Sequence, residues 1–246
     1  MRGFIRVSAF SVAASLACVV AVEIQIHGYR RPPRAVAKLL PVDEGKRDPA
    51  FDAFRAELLA AVRRRDLETV WQKLHDRLRT PAQRYAMDVD AVRQPATPTD
   101  TWSQLERVLT LGGSFITEQQ HLYGRGAELG ANEFCAPYIY SAFPHNPDGL
   151  GEAEAGVLLQ RNVAVHAAPS AQSSIVTRRS HEVVKFQAKH YEERGKPSDW
   201  TRIETLDGKR GYVRSVEVRN VTDYHACFGK FEEGWLMTEF AFGNYP

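Results

Sequence analysis

The run WTRIETLDGKRGYV, from Trp200 to Val213, constrains the fold more than any other stretch of this chain. Two strand-like segments flank Asp207 and Gly208, a pair that is typical of a tight turn between antiparallel strands. The second segment begins with Gly211, which is followed by an aromatic residue and a valine. The run therefore predicts a β-hairpin. The fold to which this hairpin belongs depends on the strands that precede it.

From Val157 onward, the sequence upstream of the hairpin also has the residue pattern of β-strands. Residues 157–170 alternate between apolar and polar side chains, as a half-buried strand does, and end at a Pro-Ser turn. Two further short segments lie on either side of 178–181, and a charged stretch, 187–199, leads to the hairpin. This half of the chain predicts several short antiparallel strands.

The first half of the chain predicts helices instead. Asp48 suits an N-cap and Pro49 suits the first position of a helix. We predict a second helix from Asp66 to the proline at 81, which forms a helical hairpin with the first, and a third helix that starts at Thr101 and ends before Gly112. The apolar stripes, with spacings of three and four, are Phe51, Phe54, Leu58 and Val62, then Leu67, Val70, Trp71, Leu74 and Leu78, then Trp102, Leu105, Val108 and Leu109.

The N-terminal segment predicts export. Arg2 and Arg6 precede an uncharged apolar run, residues 7–22, which matches the basic and apolar regions of a secretory signal. The run is shorter than the about 20 residues that a membrane-spanning helix needs. An uncleaved signal anchor is one alternative, because basic residues follow closely and oppose export. Lipidation at Cys18, whose context resembles a bacterial lipobox, is another. We expect a periplasmic protein, or one anchored so that it faces the periplasm and meets the membrane only through this segment.

The charge balance argues against a nucleic-acid partner. The chain has 32 basic and 30 acidic residues, a net charge of +2, and nucleic-acid binders usually concentrate basic residues on one face. The basic run 63–65 is interpreted as the solvated end of a helix.

Six pieces of sequence occur in order between Val157 and Val218, and they define a resemblance. They are Val163–Ser170, Ser174–Val176, Val183–Phe186, Trp200, Asp207-Gly208 and Gly211–Val213. In this order they resemble the bacterial SH3-like domain, a small β-barrel whose course includes a small-Pro-Ser turn, a Trp strand, an Asp-Gly turn and a closing Gly-aromatic-Val strand. The chain departs from the family at the first turn, where Ala164, His166 and Ala168 replace the usual Asn, Arg and Gly.

The complete interpretation is an α+β protein in five parts. Residues 1–22 are the signal peptide or anchor, and 23–47 are a tether with three prolines and many basic residues. A helical domain, 48–145, precedes the SH3-like barrel, 157–218. A second β-hairpin, 219–246, closes the chain with its turn at 232–234.

The resemblance implies a binding module in the cell envelope. Such domains in exported proteins often engage cell-wall peptides or partner proteins, and aromatic side chains line the grooves of peptide-binding barrels. The groove candidates here are Phe186, Tyr191, Trp200 and Tyr212. The alternative for strand aromatics is burial in the core. A second hypothesis is that the barrel is purely structural within one integrated exported protein.

Two cysteines, Cys135 and Cys227, remain if the signal is removed. They are either two small buried apolar residues or a disulfide formed in an oxidising compartment. Because barrels of this type commonly bring their ends close together, we expect Cys135 and Cys227 to be joined.

The sequence has no recognised catalytic or cofactor motif. The eight histidines show no metalloprotease spacing, and the two cysteines lack the Cys-x-x-Cys context of zinc and redox sites. We therefore expect a non-enzymatic protein without a cofactor or a metal ion. The remaining alternative is an enzyme with an unrecognised site near Cys135.

Overall fold

The computed structural model describes residues 37–79, 101–118, 131–144, 149–186 and 199–241. The export segment, most of the predicted tether and Tyr191 lie outside the described residues. All of the described residues belong to one compact unit.

The described residues contain four α-helices and twelve strands. The helices are α1 Pro49–Arg64, α2 Leu67–Trp71, α3 Thr101–Thr110 and α4 Tyr138–Ser141. The strands are β1 Leu74–Arg79, β2 Ser114–Phe115, β3 Ala131–Ala136, β4 Ala155–Leu158, β5 Val163–His166, β6 Ile175–Arg179, β7 Val183–Phe186, β8 Trp200–Thr205, β9 Arg210–Arg214, β10 Val218–Asn220, β11 His225–Phe231 and β12 Gly234–Ala241. The predicted α+β class is confirmed.

Helix α1 begins where its sequence predicts. The Asp48 carboxylate accepts hydrogen bonds from the backbone N–H groups of Ala50 and Phe51, at 2.9 and 3.1 Å, and so satisfies two donors that the helix leaves open. Arg65 ends the helix in the left-handed conformation, with a φ of 55°. Every residue of the predicted apolar stripe is buried.

The predicted second helix is wrong beyond its first turn. Helix α2 stops at Trp71, and Leu74–Arg79 forms strand β1, which pairs in parallel with β12. The N–H of Met237 donates to the carbonyl of Lys73 at 2.8 Å and starts this pairing. The edge of β12 offers backbone partners that a surface helix does not, and Leu74 still reaches the apolar core from the strand.

The first sheet has five strands in the order β1-β12-β11-β3-β2. Only β1 is parallel to its neighbour. One side of the sheet packs on α1 and α3, and Phe51 lies in the middle of this core, with its ring 4.3 Å from that of Phe134 and 4.8 Å from that of Trp235. The predicted C-terminal hairpin, β11–β12, is confirmed, with Gly234 at its turn. It forms the middle of a larger sheet.

The second sheet has seven antiparallel strands in the order β10-β4-β7-β8-β9-β5-β6. The predicted hairpin is β8–β9, and Gly208 takes a φ of 87° in its turn. A glycine is needed at position 211 because a Cβ there would lie 2.5 Å from the carbonyl oxygen of His166 on the adjacent strand.

A buried apolar cluster joins α4 to the seven-stranded sheet. Tyr138 and Ile139 of α4 pack in this cluster with Val157 of β4 and Val183 of β7. Arg219, the buried middle residue of β10, donates from Nη2 to the carbonyl of Tyr224 at 2.6 Å. Burial lowers the pKa of Arg219 to about 10.

Residues 37–47, which the sequence analysis assigns to the tether, lie against the rest of the unit. The N–H of Leu39 donates to the carbonyl of His181, and the N–H of Val183 donates to the carbonyl of Ala37, both at 2.9 Å. Asp43 forms an ion pair with Arg55 of α1 at 2.7 Å. This end of the predicted tether is therefore part of the fold, because Leu39 is apolar and contributes to the same core cluster as α4.

Candidate functional site

Alternation along three strands builds a candidate binding face on the seven-stranded sheet. On β8, Thr201 and Ile203 are buried whereas Trp200 is partly exposed, and on β9 Val213 is buried between two outward residues. We call the outward set the aromatic face. It consists of His166, Trp200, Tyr212 and Arg214.

The members of the aromatic face contact one another across strands. His166 of β5 lies opposite Tyr212 of β9, and Trp200 of β8 lies opposite Arg214. The rings of His166 and Trp200 are 5.1 Å apart, edge to face. The Arg214 guanidinium carbon lies 5.3 Å from the centre of the Trp200 ring, within the range of a cation–π interaction. The face thus combines flat apolar surfaces with a cation.

Charged residues of both signs surround the aromatic face. Arg202 is exposed on β8, and Arg210 of β9 pairs with Glu204 at 2.7 Å. At the far turn of the hairpin, Asp207 pairs with Arg179 at 2.7 Å. The Thr205 hydroxyl, more than the Arg179 guanidinium, holds the pKa of Asp207 below its usual value. A ligand with carboxylate groups would match this electrostatic environment.

The structure places two of the four predicted groove residues on the same side of the sheet. Trp200 and Tyr212 lie on the aromatic face, and Tyr191 is outside the described residues. The assignment of Phe186 to the groove is wrong, because only 4% of this residue is exposed and it packs inside the sheet with Ile203. A Cβ on Gly156 would lie 2.1 Å from the Phe186 ring, so the ring fills the interior above this glycine.

Sequence reasoning missed His166 and Arg214 as members of the face. The signal that could have identified them is the register in which the strands pair. Both residues have the strand parity of the outward aromatics, but only the pairing of β5 with β9 and of β8 with β9 brings them beside Trp200.

A second polar site lies on the five-stranded sheet, and we call it the disulfide cluster. Its members, all buried, are Glu133, Cys135, Tyr140, His225, Cys227 and Glu239. Cys135 lies opposite Cys227 on adjacent strands, and their sulfur atoms are 1.99 Å apart, in agreement with the expected pairing. These residues have the opposite strand parity to the core residues Phe134 and Phe228.

An aromatic stack and a histidine–carboxylate contact extend the disulfide cluster. The His225 ring stacks on Tyr140 with centroids 3.8 Å apart and planes inclined by 8°. His225 Nε2 lies 3.7 Å from the carboxylate of Glu239, which is opposite Cys227 on β12. The cluster therefore gathers two sulfurs, two carboxylates and an imidazole in a buried environment.

Comparison with known proteins gives no relative from which to transfer a function. No family model, curated protein or solved structure matches the chain. Within the described ranges, no helix has both the length and the apolar character needed to cross a bilayer. Function therefore rests on the geometry of the aromatic face and of the disulfide cluster.

Proposed function

We propose that residues 157–218 form a bacterial SH3-like barrel and serve as the binding module of an exported envelope protein. The ligand is a cell-wall peptide or a segment of a partner protein. The strand arrangement supports this proposal, because Leu158 of β4 pairs with Val218, the first residue of β10, and this pairing brings the ends of the segment together.

The observation that carries the proposal is the aromatic face. Rings on adjacent strands present flat apolar surface to an extended peptide, and aromatic-lined grooves are a recurring mode of peptide recognition. The Arg214 guanidinium beside Trp200 can donate two parallel hydrogen bonds to a carboxylate. Cell-wall peptides combine short apolar side chains with free carboxylates, which matches both features.

A purely structural role for the segment is the second candidate function. The cluster that joins α4 to β4 and β7 buries Val157 and Val183, which have the opposite strand parity to the interior residues Leu158 and Val184. Part of the outer side of the seven-stranded sheet is therefore covered by the rest of the unit. In this case the aromatic face would stabilise the fold and bind nothing. An enzyme centred on Cys135 is the remaining alternative, and it would require a free thiol that the disulfide does not provide.

A retention assay on purified cell wall, and on envelope extract, separates these functions. We expect wild-type protein to be retained and Trp200→Ala, Tyr212→Ala and Arg214→Gln each to reduce retention at least about tenfold, the loss of one hot-spot contact. Leu67→Ala is the matched control, because Leu67 is an exposed apolar residue on α2.

Two results would overturn the binding module. One is the absence of retention of the wild-type protein on either material. The other is equal retention of all three variants of the aromatic face, provided that each is folded under the assay conditions. If a variant loses clearly more stability than its surface contacts are worth, about 0.5–1.5 kcal/mol each, and also fails to bind, the structural role gains support instead.

The proposed export needs its own test. Fusion of residues 1–47 to a reporter that is active only outside the cytoplasm should give activity, and replacement of Arg2 and Arg6 by Glu should reduce it. A silent wild-type fusion would contradict the localisation.

A further inference from the structure

Three potential metal ligands converge in the disulfide cluster. One carboxylate oxygen of Glu133 and the sulfurs of Cys135 and Cys227 all lie within 4.8 Å of one another. Glu133 is 4% exposed and both cysteines are fully buried. This proximity follows from the sheet itself, since Glu133 and Cys135 share one side of β3 and Cys227 lies directly opposite on β11.

The residue types suit a thiophilic divalent cation. Zn²⁺ binds cysteine thiolates at about 2.3 Å and carboxylate oxygens at about 2.0–2.2 Å. Two sulfurs on one tetrahedral ion stand about 3.8 Å apart by that geometry, so the two cysteines need only rotate their sulfurs away from each other once the S–S bond is open. The two Cα atoms, 4.1 Å apart, belong to paired strands that hold the side chains on the same side.

We propose that Cys135, Cys227 and Glu133 form a Zn²⁺-type metal site in the reduced protein. An external dithiol or phosphine supplies the two electrons that open the S–S bond, and the reductant is oxidised in the same step. Two thiols result, and the entering cation displaces their two protons. The disulfide and the metal ion are therefore alternative occupants of the same two sulfurs, and the site is independent of the aromatic face.

The rest of the disulfide cluster favours a cation at this position. Glu239 lies opposite Cys227, and its carboxylate is 3.7 Å from His225 Nε2. The carboxylates of Glu133 and Glu239 add negative charge around the two sulfurs, which lowers the electrostatic free energy of a bound cation.

Cadmium titration of the reduced protein tests the site. The protein is reduced with a phosphine, which competes weakly for the metal, and the thiolate-to-cadmium absorption band is followed in the ultraviolet. We expect one equivalent of Cd²⁺ to bind to the reduced protein and none to the oxidised protein. Zn²⁺ should displace the Cd²⁺ and abolish the band.

Variants assign the ligands. Cys135→Ser and Cys227→Ser should each abolish the tight site, and Glu133→Gln should weaken Cd²⁺ binding at least about tenfold, the lower end of what conserved groups at metal sites cost. Glu233→Gln, an exposed change in the β11–β12 turn of the same sheet, is the matched control and should bind like the wild type.

Circular dichroism separates a folded site from binding to an unfolded chain. If reduction unfolds the protein, addition of Zn²⁺ should restore the folded signal, because a cation that binds the folded state stabilises it. The proposal is overturned by the absence of the cadmium band in the reduced wild type, by equal binding to the oxidised protein or by wild-type affinity in Glu133→Gln. Cadmium binding without recovery of the folded signal overturns it as well.

Discussion

Trp200 and Ile203 lie three residues apart on β8, and their side chains lie on opposite sides of the sheet. Ile203 is fully buried beneath the sheet, whereas Trp200 is partly exposed and contacts His166 and Arg214. We expect Ile203→Ala to lower the free energy of unfolding by about 2–5 kcal/mol, as core truncations do. Trp200→Ala should cost less, because it removes surface contacts that are worth about 0.5–1.5 kcal/mol each.

Urea unfolding of the two variants measures this difference. A loss for Trp200→Ala that equals or exceeds that of Ile203→Ala would place the indole in the core. The aromatic face would then lose its central residue.

Tyr138 carries a buried hydroxyl at the joint between α4 and the seven-stranded sheet. Within the described part of the chain the hydroxyl has no hydrogen-bond partner, and burial raises the pKa of Tyr138 to about 12. We expect Tyr138→Phe to be neutral or to stabilise the protein by about 1 kcal/mol at neutral pH, because an unsatisfied polar group is removed while the ring remains.

The same substitution has a predicted pH dependence. A tyrosine in the unfolded chain ionises near pH 10, below the pKa of about 12 in the folded protein, so the unfolded state loses its proton first. The Tyr138 contribution to stability is therefore complete below about pH 10 and is lost as the pH rises to about 12. The stability advantage of Tyr138→Phe over the wild type should grow across this window in denaturant titrations, and a constant difference would contradict the pKa shift.

At the residue scale, the sequence alone predicts which residue types could form a site better than it predicts which side of a strand each side chain faces. Trp200 and Tyr212 are recognisable from their places in the strand-turn-strand motif, and the two cysteines from their residue type. Phe186 is not distinguishable from an outward aromatic, because a strand places alternate residues on opposite sides and the buried side is fixed by neighbours distant in sequence.

Among the elements, helix α1 depends on Asp48 in two ways. Its carboxylate caps the helix and also accepts a hydrogen bond from Lys230 of β11 at 2.9 Å. We expect Asp48→Ala to lower the free energy of unfolding by about 0.5–2 kcal/mol, the usual cost of a lost N-cap. Asp48→Asn is the matched control, because asparagine also caps helices but carries no charge for Lys230.

The contribution of Asp48 should depend on pH with a defined sign. The hydrogen bond from Lys230, followed by those from the helix N–H groups, holds the pKa of Asp48 below its usual value. The contribution is therefore present above the unfolded pKa, near 3.9, and is lost as the pH falls through the lower folded pKa. Thermal unfolding of wild type and Asp48→Asn should converge in acid, and a gap that persists at the lowest pH would exclude this ionisation as its source.

The elements that sequence predicts correctly are those with local signals. Helices α1 and α3 and the hairpins β8–β9 and β11–β12 carry caps, apolar periods or turn residues within a few positions. Strand β1 carries the period of a helix, and its pairing partner, β12, lies at the other end of the chain. A local pattern contains no information about such a partner, so the helix prediction fails there.

Across the whole molecule, the described elements share cores that the predicted domain boundaries would separate. Residues of α1, α3, β3, β11 and β12 form one apolar cluster, and α4 connects to the seven-stranded sheet through another. If the seven-stranded sheet folds independently, cleavage in the region 148–156 followed by reduction of the disulfide should release a stable fragment that contains it. The shared clusters favour the other outcome, in which the pieces remain associated after cleavage.

The disulfide gives this association a covalent component. Cys135 and Cys227 are 92 residues apart in the sequence, and the closed loop contains the whole seven-stranded sheet. A cross-link over a loop of that length stabilises the folded state by about 4–5 kcal/mol in the entropy model, with less usually realised. We expect reduction, in the presence of a metal chelator, to lower the free energy of unfolding by up to that amount.

Limited proteolysis followed by paired gels checks both expectations. A single cut between the two cysteines should leave one full-length band without reductant and two bands with it. Cys135→Ser and Cys227→Ser should match the reduced wild type in urea unfolding, because each removes the same cross-link. Two bands on the non-reducing gel of the oxidised protein, or two thiols open to alkylation in its folded state, would rule out the bond and with it this account of how the seven-stranded sheet is held to the five-stranded one.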